Sequence, residues 1–296
     1  MLNVPDTDYF YPSPDGLRLY CGLHGARRSG GLPVLCLPGL TRNSRDFTAL
    51  AAHLREGHEV LTPDLRGRGR SAWDPHPAHY QLTTYVQDAF ALLQARRVSR
   101  VVVVGTSLGG LMAMVMAAMK PELIAAMVLN DSGPEVDPAG LRRIVSYAGK
   151  LPRVSSWAEA ASQAKSVYGS ALPGLSDAQW LEYARQGYRE IDAVPVPDMD
   201  PKIAEAIAIP AVGPGNLWPV YAQIKATPML VIRGALSDLL SAATVTRMER
   251  EKPDLQHVTV SNRGHAPLLN EPESLAAIDA FVAQHGRGAQ TVVRAS

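Results

Sequence analysis

An α/β fold with a mainly parallel, doubly wound sheet and a helical cap inserted after the sixth strand is what this sequence predicts. Three observations carry that expectation. Short apolar runs at residues 33–37, 59–62 and 100–104 have the character of strands covered on both faces. Segments with helical apolar spacing separate them. The alternation stops over residues 135–221 and then resumes, as it would around an insertion.

Residues 8–11 and 17–23, divided by Pro12, Pro14 and Gly16, read as a β-hairpin. A strand at 33–37 leads to a helix through Phe47, Leu50, Ala51 and Leu54, then a strand at 59–62. Tyr85, Ala89, Leu92 and Leu93 mark the next helix, for which Thr84 and Gln87 offer a capping box. The valine run at 101–104 precedes a helix over 108–119, with Leu111, Met112, Val115, Met116 and Met119 on one stripe, and a strand at 127–129. Residues 135–221 read as helices and Pro/Gly loops without a buried strand. Strands at 229–232 and 257–260 then alternate with a helix over 242–251 and a last helix capped by Asn270, with Pro272 in its first turn. Leu275, Ile278 and Phe281 share its inner face, and the small, polar tail from Gly286 is expected to fray. The predicted organisation is a core domain of residues 1–134 and 222–296 with a cap at 135–221.

The chain has 296 residues, 29 Lys+Arg, 28 Asp+Glu, a formal charge of +1 and 46% hydrophobic residues. That apolar fraction with so little net charge excludes a disordered chain. The balanced charge gives no electrostatic reason to expect a nucleic acid or an anionic membrane as partner. Cys21 and Cys36 are the only cysteines, both in apolar runs, and read as buried reduced thiols. The first residues lack a basic and apolar leader pattern, and the longest apolar stretch, 111–119, is far short of a membrane span. A cytoplasmic soluble protein is expected, with no reading of its oligomeric state.

The chemistry centres on Gly105, Ser107 and Gly109, a G-x-S-x-G between a valine strand and an apolar helix. Such a turn holds a serine in a strained conformation, so its neighbours must be small. It also presents the Leu108 N–H at a helix N-terminus, where positive dipole charge gathers. A serine nucleophile needs a base, and the base needs an orienting acid. His265, in a glycine-flanked turn after the last strand, is the base expected among eight histidines. Asp238, after the strand at 229–232, is the acid expected, with Asp131 as the rival, because residues 234–237 form a turn able to aim it. The Leu40 N–H, after the strand at 33–37, is the second oxyanion donor beside Leu108. His76 and His79 lack evident further ligands for zinc. Asp64 is expected to brace its own loop, and Arg66, Arg68 and Arg70 to do the same. Trp157, Trp180 and Trp218 in the cap are the expected substrate-binding side chains.

With these residues the chain resembles the α/β-hydrolase superfamily, within the capped serine hydrolases related to esterases, lactonases and meta-cleavage-product hydrolases. Pro38, Gly39 and Leu40 match the oxyanion loop, with proline where many members carry histidine. Residues 64–71 match a D-x-R-G-x-G-x-S loop. Ser107 matches the nucleophile elbow, Asp238 the acid and His265 the histidine loop. The serine at 107 sets the chain apart from haloalkane dehalogenases, which carry an aspartate there. The resemblance implies acyl transfer to Ser107 without metal or organic cofactor, on an apolar small-molecule ester or lactone. The alternatives are C–C hydrolysis of vinylogous diketone ring-fission products and a ligand-binding relative that keeps the triad without turnover.

Overall fold

The computed structural model describes residues 4–28, 30–207 and 216–287. Residues 1–3, the predicted tail beyond residue 287 and cap residues 208–215 lie outside them. In chain order the core begins with β1 (Thr7–Pro12), β2 (Arg18–His24), β3 (Val34–Leu37), α1 (Thr48–Leu54) and β4 (Val60–Asp64). It continues with α2 (Leu82–Ala95), β5 (Val101–Thr106), α3 (Leu108–Met119) and β6 (Ile124–Asn130). The insertion holds α4 (Pro138–Tyr147), α5 (Trp157–Tyr168), α6 (Asp177–Gly187), β7 (Tyr188–Ile191), β8 (Val194–Pro197), α7 (Lys202–Ile207) and α8 (Trp218–Gln223). The core closes with β9 (Met229–Gly234), α9 (Ala242–Glu251), β10 (Gln256–Val260) and α10 (Pro272–His285).

Eight strands form one sheet in the order β1-β2-β4-β3-β5-β6-β9-β10. The joints β1–β2 and β2–β4 are antiparallel and the others parallel, so the sheet is mainly parallel as expected. Side chains alternate across it. On one face Leu35, Leu37, Val101, Val103, Met127 and Leu129 pack with Val86 and Leu93 of α2 and Met112 and Met116 of α3. On the other, Val34, Cys36, Val102, Val104, Val128 and Ile232 pack with Leu50 and Leu54 of α1 and Ile278 and Phe281 of α10. Burial of each such side chain contributes about 1.5–3 kcal/mol. Cys21 and Cys36 are free and buried in β2 and β3, and burial raises both thiol pKa values.

The insertion divides between two apolar clusters. Val154, Ala160, Ala164, Leu172, Trp180 and Ala184 form a small core of its own. Met199, Ile203, Trp218 and Tyr221 instead join the main core, where the Tyr221 hydroxyl donates to the Met248 carbonyl at 3.0 Å. Polar ties hold it to the loops beneath, among them Arg45 Nη2 to Asp198 Oδ2 at 2.6 Å and the Tyr80 hydroxyl to Asp200 Oδ2 at 2.6 Å.

One local element goes unpredicted and two expectations differ from what is found. Residues 135–221, read as helices and Pro/Gly loops without a buried strand, also hold the largely unburied β7–β8 hairpin, turned by Asp192 and Ala193 at φ 49° and 64°. Two positive φ values at a two-residue loop match the twist of a hairpin, but Ala is a poor signal for one and the prolines at 195 and 197 argued against a strand. The second helix starts at Leu82 after Gln81, so Thr84 and Gln87 lie inside it and form no capping box. The last helix has Glu271 rather than Asn270 as its N-cap, without a side-chain capping bond; the Glu271 carboxylate instead accepts from Arg263, Leu268 N–H and the Ser274 hydroxyl. Among the described residues no helix is long and apolar enough to cross a membrane.

Candidate active site

The glycines around Ser107 are required by contact. A Cβ on Gly105 would lie 2.3 Å from the Gly109 backbone, and one on Gly109 would lie 2.0 Å from the Leu37 carbonyl oxygen. The turn therefore runs against both β3 and its own helix, and Ser107 takes φ 53° and ψ −114° at the N-cap of α3. A non-glycine residue in that region is strained, and the surrounding contacts hold it there. Asn130 O accepts from Ser107 N–H at 3.0 Å, and the Ser132 hydroxyl donates to Ser107 O at 2.9 Å.

His265 Nε2 lies 2.9 Å from Ser107 Oγ, and its Nδ1 lies 2.7 Å from Asp131 Oδ2. A carboxylate only accepts, so Nδ1 carries the proton and Nε2 is left to accept from the serine hydroxyl. Asp131 is fully buried. Its Oδ1 accepts from Gly234 N–H at 2.8 Å, and its Oδ2 also accepts from the Ser237 hydroxyl at 2.5 Å. Asn130 Nδ2 reaches both Thr106 Oγ1 at 3.0 Å and the Pro267 carbonyl at 2.9 Å, tying the serine strand to the histidine loop.

The expected acid, Asp238, is not at the histidine; Asp131 is. The ends of β5 and β6 pair Thr106 with Asn130, so the residue after β6 sits beside the residue after β5. The turn at 234–237, read as aiming Asp238, brings Gly234 N–H and Ser237 Oγ to Asp131 instead. Asp238 is carried past it to α4, where Arg143 Nε and Nη2 donate to its carboxylate at 2.5 and 2.8 Å. Those hydrogen bonds hold its pKa below the usual carboxylate value.

Leu40 and Leu108 flank the serine. A Cβ on Gly39 would lie 3.8 Å from Ser107 Cβ, which brings the loop after β3 against the elbow. Gly39 O accepts from Arg42 N–H at 3.2 Å, so across the planar peptide the Leu40 N–H points the opposite way. Buried Arg68 donates to Leu40 O from Nε at 2.9 Å and Nη2 at 2.7 Å, fixing the next peptide. Neither the Leu40 nor the Leu108 N–H has a backbone partner among the described residues outside the helices and strands. The loop behind is braced by Asp64, whose oxygens accept from Ser44 and Arg70 N–H at 2.8 Å each. Arg66 is likewise structural, donating to Asp15, Asp74 and Asp88. His79 joins that cluster at Asp74, but the guanidinium already places a cation among its carboxylates.

A cavity of about 110 Å³ opens at Ser107 and His265, lined by Leu40, Arg42, Tyr147, Tyr168 and Tyr183 among others. None of the three tryptophans lines it. Trp180 is buried in the cap's own core, and Trp157 packs beside it with its N–H on Glu190. Trp218 belongs to the main core, with its N–H on Glu135. The tryptophans satisfy the insertion's need for an apolar interior, and the tyrosines face the site. Sequence assigns none of Arg42, Arg68, Ser237 and Asn130 to the site; Arg68 lies within the D-x-R-G-x-G-x-S loop but at one of its unspecified positions.

The Alpha/beta hydrolase family model matches residues 34–278. The 3-hydroxybutyrate-oligomer hydrolase of Cupriavidus necator is 32% identical over 260 residues, covering 84% of this chain and 87% of that protein. Lipase LipV of Mycobacterium tuberculosis is 33% identical over 260 residues, covering 84% and 92%. The crystal structure of an alpha/beta hydrolase from Novosphingobium aromaticivorans superposes with a TM-score of 0.87 at 41% identity, over 96% of this chain and 99% of that one. The sheet order, the match over most of the length and these relatives agree: the chain is a hydrolase and belongs to the alpha/beta hydrolase family.

Proposed function

We propose that the protein is a serine hydrolase that cleaves carboxylic esters through an acyl-enzyme. The observation that carries this is the continuous chain from Ser107 Oγ through His265 to buried Asp131, opening on a cavity. His265 Nε2 takes the serine proton as Oγ attacks the carbonyl carbon, and Asp131 stabilises the imidazolium that forms. The N–H groups of Leu40 and Leu108 hold the oxyanion, each contributing about 3 kcal/mol by analogy with enzymes where one such donor has been removed. The imidazolium then protonates the leaving alcohol. His265 next deprotonates a water, which releases the acid and restores the serine.

The similarity to a 3-hydroxybutyrate-oligomer hydrolase and to a lipase supports an ester as substrate. The phenols and the guanidinium in the cavity favour an acyl or alcohol group with polar atoms over a purely apolar one. The test is hydrolysis of 4-nitrophenyl acetate and butyrate by the wild type and by Ser107→Ala. Turnover abolished in the variant supports the reading. No turnover of any ester or lactone in a panel, or turnover that survives Ser107→Ala, refutes it.

A further inference from the structure

Two cavities meet at Arg42. One, of about 110 Å³, holds Ser107 and His265. The other, of about 390 Å³, lies under the cap hairpin and is lined by Trp73, Tyr188, Ile191 and Met199 among others. The first is smaller than a typical small-molecule site and the second falls within that range. Thr41, Arg42, Tyr147, Tyr168 and Tyr183 line both, so a ligand that runs from one into the other passes the arginine.

The arginine is held but not used up. Nε and Nη2 donate side-on to Asp46, at 2.8 and 2.6 Å. The guanidinium lies 4.3 Å from the centre of the Tyr183 ring. Its side chain is 12% exposed, and although burial works against the charge, Asp46 keeps it protonated. Nη1 has no hydrogen-bond partner among the described residues. Gly187 makes room for it, since a Cβ there would lie 2.5 Å from Nη1. The result is a pre-positioned donor whose charge Asp46 already balances. Such a donor suits a neutral carbonyl oxygen better than a carboxylate, which would also face Asp46.

We propose that Arg42 is a specificity-determining residue that binds a second carbonyl oxygen of the substrate. The preferred substrate is then an ester whose remainder carries a further ester or keto group, as in diesters and oligoesters of hydroxy acids. This rests on the ester-hydrolase reading. The short end of the scissile ester occupies the cavity at Ser107, and the carbonyl-bearing remainder extends under the hairpin past Nη1. Hydrolysis breaks the acyl C–O bond at Ser107, water supplying hydroxyl to the acid and a proton to the alcohol. The second carbonyl is unchanged.

The test compares kcat/KM for 4-oxopentyl and 5-oxohexyl acetate with that for pentyl and hexyl acetate, pairs that differ by a carbonyl in place of a methylene. A hydrogen bond from a charged donor predicts a preference for a keto member of about ten- to hundredfold in the wild type. In Arg42→Met that ratio falls toward one. Gly187→Ala, which displaces Nη1 while keeping the arginine, is read the same way and carries the test if Arg42→Met does not fold. A wild-type ratio near one at both lengths, or a preference that survives the substitution, overturns the proposal. No turnover of the four acetates alongside turnover of the nitrophenyl esters also overturns the proposal, whereas no turnover of either set overturns the ester-hydrolase reading instead.

Discussion

Replacing Asp131 with Asn separates the two carboxylates that compete for the role of acid. Three donors converge on the Asp131 carboxylate: Gly234 N–H, the Ser237 hydroxyl and His265 Nδ1–H. The Gly234 amide is fixed by the backbone and needs an oxygen, so the new NH2 must face Ser237 and His265. The serine hydroxyl can rotate to accept, but the imidazole must shift its proton from Nδ1 to Nε2 to avoid two opposed N–H groups. It then no longer accepts from Ser107. The same substitution in a serine protease lowers kcat about ten-thousandfold, and the same hydrogen-bond roles predict a loss of roughly 10³- to 10⁴-fold here, or ~4–5 kcal/mol of barrier. Asp238→Asn is the paired control. Its partner Arg143 is 25% exposed and Asp238 itself 40%, so the ion pair contributes at most about 1 kcal/mol of stability. Turnover should stay within about threefold. The assay is kcat for a nitrophenyl ester, with thermal melts confirming that both variants are folded. Retained turnover in Asp131→Asn, or a comparable collapse in Asp238→Asn, would refute the assignment.

Further outcomes follow from the same contacts. Arg66→Leu leaves buried Asp74 and Asp88 without their cation, so denaturant titration should show a loss of about 3–5 kcal/mol. Gly109→Ala drives a methyl group into the Leu37 carbonyl and should yield either no folded protein or one without measurable esterase activity; a fully active, equally stable variant would contradict the elbow geometry. His24 is buried, and burial lowers its pKa below that of the unfolded chain. On acidification the unfolded state therefore binds the proton first, and stability falls as pH drops from about 6.5 through the lower folded value. His24→Gln should flatten that part of the stability–pH curve, while an unchanged slope would assign it to other groups.

The parallel sheet was legible because β5, β6 and β9 are buried on both faces and so read as unbroken apolar runs. Ser107 and His265 were legible because each sits in a turn with a sterically required glycine: a Cβ on Gly109 would run into the Leu37 carbonyl, and one on Gly264 would lie 2.8 Å from Ala171 Cα. The acid was not, because two aspartates follow adjacent strands and sequence does not state where β9 ends. The turn after Gly234 has the composition to aim a side chain, but the one it delivers to the triad is Ser237. The tryptophans were misplaced for a related reason. Large aromatics in an insertion can face inward to its own core or outward to the site, and helical spacing alone does not separate the two when both sides are apolar. Trp180 turned inward while Tyr183, three residues on, turned to Arg42.

Activation of Ser107 for acyl transfer by His265 and Asp131 leaves a covalent trace. It is tested most directly by quenching a reaction with a slowly deacylating ester and measuring the intact mass and the modified peptide. A mass increase equal to the acyl group is expected, located on Ser107 and absent from Ser107→Ala and His265→Ala. Turnover without any acyl-enzyme under single-turnover conditions, or an adduct on another residue, would contradict it.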